Sequence, residues 1–78
     1  MGKFGTMFRQ AVVSISLAGN LIVIRTVTGT AGTAGAFVDS MSYDHVLGSI
    51  AGDDTILIVC DTEENAKGVK ALLENNLE

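Results

Sequence analysis

The most restrictive feature of the sequence is one short segment, Thr55–Cys60, in which every residue after the threonine is apolar. A segment of this kind, rich in branched aliphatic residues, is typical of a β-strand. Because successive side chains of a strand point to opposite faces of its sheet, this strand needs cover on both faces. One layer of helices covers only one of them. The chain must therefore fold as a sheet whose second face is also hidden from water.

The length of the chain limits how that second face can be covered. A domain of 78 residues buries a modest share of its surface and is marginally stable alone. Cys60 is the only cysteine, which excludes a disulfide within one chain and favours a reducing, cytoplasmic setting. Hydrophobic residues make up 47% of the chain, and no cysteine and histidine spacing suggests zinc. We therefore expect self-association to stabilise the fold.

Hydrophobic periodicity assigns the secondary structure. In the first strand the alternation places Ala11, Val13, Ile15 and Leu17 on one face. In the last helix a helical spacing joins Ala66, Val69, Leu73 and Leu77 into one apolar stripe. The predicted elements, in order, are a helix over 4–11, strands over 11–17 and 21–27, a helix over 28–41 capped by Thr28 or Thr30, strands over 46–51 and 55–60, and a helix that starts at a capping box over 61–64.

This order, (α)ββαββα, predicts a single α+β domain over residues 1–78. We expect a two-layer sandwich in which a four-stranded, mainly antiparallel sheet carries its helices on one face. Short turns at 18–20 and 52–54 should join consecutive strands into two hairpins. The other face of the sheet is then left for another subunit.

The predicted second helix is unusually rich in glycine. Gly29, Gly32 and Gly35 each lower helix propensity by about 1 kcal/mol relative to alanine. Gly32, Gly35 and Asp39 share one helix face, which leaves room for a ligand or a closely packed neighbour. The run over 28–35 follows a strand and opens a helix, as phosphate-binding loops do, but its spacing matches neither the dinucleotide nor the Walker pattern. A small-ligand pocket or close packing is favoured over nucleotide binding.

Two adjacent carboxylates, Asp53 and Asp54, stand directly before the apolar strand. Taken alone, Gly52-Asp53-Asp54 is an ordinary solvated hairpin tip. The magnesium-binding Gly-Asp-Asp hairpin of template-directed polymerases belongs to much larger chains with further acidic ligands. A second interpretation is a cation site in which Asp53, Asp54 and Asp39 receive a planar guanidinium, whose fork matches carboxylate oxygens. A small metal-dependent enzyme that uses the same three carboxylates remains a rival hypothesis.

Charge and composition limit the classes of partner that the protein can bind. The formal net charge of −4 argues against direct nucleic-acid binding, which needs clustered lysine and arginine. No apolar run is long enough to span a membrane and no leader resembles a signal peptide, so a soluble, cytoplasmic protein is expected. His45 has no nucleophile at a recognisable spacing, and Cys60 has no base positioned to activate it. The sequence predicts no catalytic residue, no metal ligand and no cofactor.

Three stretches carry a family resemblance: AGNLIVIRT over 18–26, Gly29 and Ala31 leading to Asp39, and GSIAGDDT over 48–55. The last is the most specific. Together with the final helix, they resemble the C-terminal domain of bacterial arginine repressors over nearly the whole chain.

The resemblance implies a non-enzymatic oligomerisation and effector-binding domain. In that family, trimers stack in pairs into a hexamer, with L-arginine bound between the trimers. The family's pocket implies that Asp53 and Asp54 from facing subunits hold the guanidinium and that Asp39 holds the other polar end of the ligand. Ser49 and the backbone of Ala51 would line the pocket. DNA would be contacted only through a preceding winged-helix domain, which this chain lacks.

Two positions depart from the family. Many members carry glutamine or histidine where Gly32 stands, and proline is common where Thr28 stands. In the family the residue at the position of Gly32 helps to hold the amino-acid end of the ligand. Its loss would leave buried ligand groups unsatisfied, at about 1–3 kcal/mol each. An assembly-only repressor subunit that no longer senses arginine is therefore a further alternative.

Overall fold

The computed structural model describes the backbone of residues 2–77 and the side chains of residues 5–77. The described part of the chain forms three helices and four strands in the predicted order. They are α1 (Gly2–Ala11), β1 (Val12–Ala18), β2 (Leu21–Thr26), α2 (Ala31–Met41), β3 (Val46–Ala51), β4 (Thr55–Cys60) and α3 (Glu63–Asn75). Within residues 2–77, no helix has the length and apolar character that crossing a membrane requires.

The four strands form one antiparallel sheet in the order β1-β2-β4-β3. Both predicted hairpins are present, β1 with β2 and β3 with β4. The two hairpins join through β2 and β4, which places the most apolar strand in the interior of the sheet. The predicted α+β class and antiparallel sheet are confirmed.

All three helices contribute to one core on one face of the sheet. The centre of that face is formed by Ile22 and Ile24 of β2 and Ile56 and Ile58 of β4, each 0% exposed. The helix residues packed there include Phe8, Ala31, Phe37, Ala66, Val69 and Leu73. The rings of Phe8 and Phe37 stack with centroids 4.6 Å apart, which ties α1 to α2. Cys60 is fully buried in this core, and burial raises the pKa of its thiol, as does the neighbouring charge of Asp61.

The opposite side of the sheet, here called the open face, has no helix of residues 2–77 over it. Its centre consists of Leu21, Val23 and Arg25 of β2 and Thr55, Leu57 and Val59 of β4, which alternate with the core residues. The edge strand β3 adds Ile50, which is 73% exposed. An apolar surface of this kind on a small domain is typical of a protein interface.

The first strand departs from the predicted alternation. A register shift between Val12 and Ser14 inserts an extra residue opposite β2, and Val13 is 68% exposed rather than buried. Ile15 and Leu17 still pack against the core as predicted, because they lie beyond the irregularity. A single inserted residue reverses which side chains face inward. The alternation of apolar and polar residues in the sequence does not show where such an insertion occurs.

Two helix starts agree with the prediction only in part. Thr30, one of the two proposed caps, is the N-cap residue of α2, so the helix begins at Ala31 rather than at 28. Its hydroxyl makes no capping bond and instead donates to the carbonyl oxygen of Val27 at 2.6 Å. The cap of α3 lies one residue later than the proposed box: Thr62 is the N-cap, and its Oγ1 accepts a hydrogen bond from the backbone N–H of Asn65 at 3.0 Å. The predicted stripe of α3 is otherwise confirmed, with Leu77 packing on the core just beyond the helix end.

Candidate functional site

The turn between β3 and β4 is fixed by backbone hydrogen bonds. The N–H of Gly52 donates to the carbonyl oxygen of Thr55 at 2.8 Å and closes the turn. The N–H of Thr26 donates to the carbonyl oxygen of Asp54 at 2.7 Å, which ties the turn to the end of β2. Because these bonds use only the backbone, they fix the turn without occupying the side chains of Asp53 and Asp54.

The same turn also anchors the start of α2. The carbonyl oxygen of Asp53 accepts hydrogen bonds from the N–H groups of Gly29, at 2.9 Å, and Ala31, at 3.4 Å. Gly29 has φ +87°, a conformation that side chains other than glycine adopt rarely. The glycine-rich entry of α2 therefore reaches the acidic turn, and the N–H groups of Gly29 and Ala31 are bonded to the carbonyl oxygen of Asp53.

The helix α2 lies against β3 along the face that the sequence singled out. A Cβ built on Gly35 would lie 3.1 Å from the Cβ of Ala51, so the glycine allows a close approach of helix to strand. One turn further along α2, Asp39 Oδ1 accepts a hydrogen bond from Ser49 Oγ at 2.8 Å. A Cβ on Gly32 would meet no atom within 4 Å. The space beside Gly32 is thus open.

The carboxylate of Asp54 is already partnered. Its Oδ2 accepts a hydrogen bond from Arg25 Nη2 at 3.2 Å, and its Oδ1 accepts one from Thr55 Oγ1 at 3.0 Å. The side chains of Arg25 and Asp54 are 57% and 44% exposed. The carboxylate of Asp53 is exposed and has no hydrogen-bond or ion-pair partner among residues 5–77. The two adjacent acids therefore differ, one neutralised and one free.

The predicted site residues thus fall into two linked groups. Asp39, Ser49 and Ala51 lie along the contact between α2 and β3, and Asp53 and Asp54 lie on the turn that follows β3. Arg25 belongs beside them, and sequence reasoning did not assign it to the site. A cavity of about 190 Å³ adjoins Asp39 and is lined further by Val38, Ser42, Tyr43, Val46 and Gly48.

Four other polar residues lie away from the acidic turn. The hydroxyl oxygen of Tyr43 is buried without a hydrogen-bond partner among the described residues, and burial raises the pKa of this phenol. His45 Nδ1 lies 3.1 Å from Asp61 Oδ2 on the surface near the start of α3. Hydrogen bonds from Asn65, at 2.9 Å, and from His45 hold the pKa of the Asp61 carboxyl below its usual range. No group of three or more histidine, cysteine, aspartate or glutamate side chains within residues 5–77 is placed to hold a metal ion.

Comparison with known proteins decides the family. The sequence model of the family described as "Arginine repressor, C-terminal domain" matches residues 8–75, which is most of the chain. The chain belongs to the arginine repressor C-terminal domain family. This membership confirms the family resemblance of the sequence.

Curated arginine repressors are similar to this chain over the same region. The arginine repressor of Acetivibrio thermocellus is 48% identical over 62 residues, which is 80% of this chain and 40% of the relative. The arginine repressor of Staphylococcus carnosus is 40% identical over 75 residues, or 96% of this chain and 50% of the relative. That of Bacillus subtilis is 41% identical over 70 residues, or 90% of this chain and 47% of the relative. The chain spans about half the length of these relatives or somewhat less.

Proposed function

We propose that this arginine repressor C-terminal domain is the oligomerisation and L-arginine-binding part of a transcriptional regulator of arginine metabolism that works in the cytoplasm. Residues 1–78 act as one domain, and DNA is bound by a separate domain of the longer protein. The domain assembles as a trimer, and two trimers stack into a hexamer with L-arginine between them. It catalyses no reaction.

The observation that carries the proposal is the rigid presentation of two adjacent carboxylates. Asp53 and Asp54 project from a turn whose backbone is bonded to both β2 and α2. A guanidinium offers planar, paired N–H donors that match carboxylate oxygens, and its charge compensates two acids that would otherwise repel each other. A fixed acid pair is therefore suited to a guanidinium, and L-arginine is the amino acid that carries one.

The other polar end of the ligand needs a partner of its own. Asp39 and Ser49 are held together on the adjacent surface of α2 and β3, at 2.8 Å, where a carboxylate and a hydroxyl can receive an ammonium group. Ala51 offers backbone groups at the end of β3, and Gly32 leaves open space beside the helix. Gly32 stands where many family members carry glutamine or histidine, so this site has one hydrogen-bonding group fewer. We therefore expect weaker binding of L-arginine than in relatives that have such a residue.

Self-association follows from the open face. Leu21, Val23, Leu57 and Val59 form an apolar centre there, and no helix of the described chain covers it. Covering these residues with further copies of the chain would supply the burial that so small a domain lacks. In a symmetric assembly whose acidic turns meet, the carboxylates of facing subunits repel until a cation lies between them. Ligand binding and assembly therefore strengthen each other by linkage.

The rival enzyme hypothesis receives less support. A metal-dependent enzyme would need Asp39, Asp53 and Asp54 within one coordination sphere, and within residues 5–77 no three such ligands are grouped in that way. The assembly-only alternative keeps the same open face and differs only in whether the acidic turn binds arginine.

Thermal unfolding in the presence of different ligands separates these functions. We expect L-arginine at about one hundred times its Kd to raise the free energy of unfolding by about 2.7 kcal/mol. Citrulline, which carries a neutral urea group in place of the guanidinium, should have almost no effect, and ornithine a smaller one than arginine. Sodium chloride at matched ionic strength is the control. If none of the three amino acids changes the unfolding temperature, only the assembly function remains supported. Stabilisation by Mg²⁺ or Mn²⁺ without a response to arginine would favour the enzyme.

A further inference from the structure

The hydroxyl of Tyr43 is a hydrogen-bonding group that the fold leaves unpaired. Its oxygen is shielded from water and has no hydrogen-bond partner within residues 5–77. A buried polar group without a partner costs the fold its desolvation energy, and native proteins contain few such groups. A phenylalanine would fill the same space without this cost. The hydroxyl is therefore a candidate for direct contact with a ligand.

Tyr43 lies beside the carboxylate that is proposed to hold the amino-acid end of the ligand. It lines the same cavity of about 190 Å³ as Asp39, together with Val38, Ser42, Val46 and Gly48. A Cβ built on Gly48 would meet no atom within 4 Å, so the cavity is open on the side of β3. Since a cavity of about 15 Å³ already holds a water molecule, this one has room for the head group of an amino acid.

The backbone around Tyr43 fixes its position relative to Asp39. The N–H of Ser42 donates to the carbonyl oxygen of Asp39 at 3.3 Å, and Ser42 turns the chain with φ +51°. The N–H of Val46 donates to the carbonyl oxygen of Tyr43 at 3.2 Å. The side chain of Tyr43 also packs against the core. A hydroxyl held in this way loses little conformational freedom when a ligand binds.

The two charged groups of an amino-acid head group need opposite partners. The ammonium is a donor and is suited to the carboxylate of Asp39, whose Oδ1 accepts from Ser49 Oγ at 2.8 Å. The ligand's carboxylate only accepts, and so close to Asp39 it is repelled unless a donor receives it. The phenol of Tyr43 is such a donor, because burial raises its pKa and keeps it protonated at neutral pH.

We propose that Tyr43 is a specificity-determining residue of the ligand site, whose hydroxyl donates a hydrogen bond to the α-carboxylate of the bound amino acid. The inference rests on the function proposed above and adds which part of the ligand the cavity beside Asp39 recognises. Together, Asp39 and Tyr43 distinguish a zwitterionic amino acid from an amine that has no carboxylate. The acidic turn then binds the guanidinium of L-arginine, and the cavity binds its head group.

The test compares Tyr43→Phe with the unaltered chain for two ligands, L-arginine and agmatine, which keeps the guanidinium and an amine but has no carboxylate. Isothermal titration calorimetry measures both Kd values. We expect Tyr43→Phe to weaken L-arginine binding about tenfold or more and to change agmatine binding by less than about twofold, because only L-arginine has the group that the hydroxyl meets. Ser40→Ala is the control, since it removes a hydroxyl of α2 that donates to the carbonyl oxygen of Phe37 and does not line the cavity. It should match the unaltered chain for both ligands.

Thermal unfolding without ligand gives an independent readout. Tyr43→Phe removes an unpaired buried hydroxyl and keeps the ring, so its Tm should equal or exceed that of the unaltered chain. A lower Tm would show that the hydroxyl is bonded within the protein, and this result would overturn the proposal.

Two titration results would also overturn it. Either Tyr43→Phe binds L-arginine as tightly as the unaltered chain, or it loses affinity for L-arginine and agmatine by the same factor. In both cases the hydroxyl does not meet the carboxylate, while the arginine site itself stands. If Tyr43→Phe does not fold, Tyr43→Leu takes its place in the titrations. If the unaltered chain binds neither ligand, the proposed function fails and the role of Tyr43 fails with it.

Discussion

Replacing Asp54 by asparagine (Asp54→Asn) is expected to weaken the binding of L-arginine about 30-fold or more, because removing one partner of a desolvated charge pair typically costs 2–5 kcal/mol. The change should leave the fold intact. The backbone carbonyl of residue 54 still accepts from Thr26, and an asparagine oxygen can still accept from the Thr55 hydroxyl. Asp54→Asn should therefore separate ligand binding from folding.

Calorimetric titration with L-arginine measures this loss. Asp44→Asn is the matched control, because Asp44 is an exposed carboxylate in the turn before β3 and its removal changes the net charge by the same amount. Asp53→Asn should also weaken binding, since the free carboxylate on the same turn is the second proposed partner. Retention of full arginine affinity in Asp54→Asn would show that the acidic turn is not part of the arginine-binding site.

The second large effect is expected from Gly35→Leu, which should lower the free energy of unfolding by about 1–3 kcal/mol, the usual cost of overpacking. The first added carbon would already lie 3.1 Å from the Cβ of Ala51, and the rest of the leucine side chain has to displace β3 or α2. Because Asp39 and Ser49 meet one turn further along the same contact, the displacement should also weaken arginine binding.

Urea denaturation followed by circular dichroism measures this change in stability. Gly32→Leu is the control, since a Cβ at that position meets nothing within 4 Å and leucine favours the helix over glycine. We expect Gly32→Leu to be as stable as the unaltered chain or up to about 1 kcal/mol more stable. Equal stability of the two leucine variants would show that α2 does not depend on the close approach at Gly35.

The element order could be predicted because each signal for it is local. Alternation and turn residues define the hairpins, and the spacing of Ala66, Val69 and Leu73 defines α3. The bounds of β3 and β4 agree with the prediction because glycine and aspartate residues mark the turn between them. The continuous apolar character of Thr55–Cys60 also predicted a strand with a second face to cover, although its interior position in the sheet was not predicted.

What could not be predicted depends on contacts between distant parts of the chain. The hairpins alone do not specify which of their strands join, so the sequence did not indicate that Arg25 would reach Asp54. The irregularity after Val12 could not be predicted, because residues 12–17 are compatible with a strand whether or not one residue is inserted there. The hydrogen bond between Asp39 and Ser49 was not predicted, since it depends on how closely α2 approaches β3. The family resemblance implied only that both residues belong to one pocket.

Sedimentation equilibrium of the unaltered chain, with and without millimolar L-arginine, shows whether assembly depends on the ligand. We expect the chain to be a trimer or larger without ligand, because the open face is covered, and L-arginine to shift it toward the hexamer while citrulline does not. A chain that stays monomeric at all concentrations, or an assembly whose mass is the same with and without L-arginine, would contradict the proposed function.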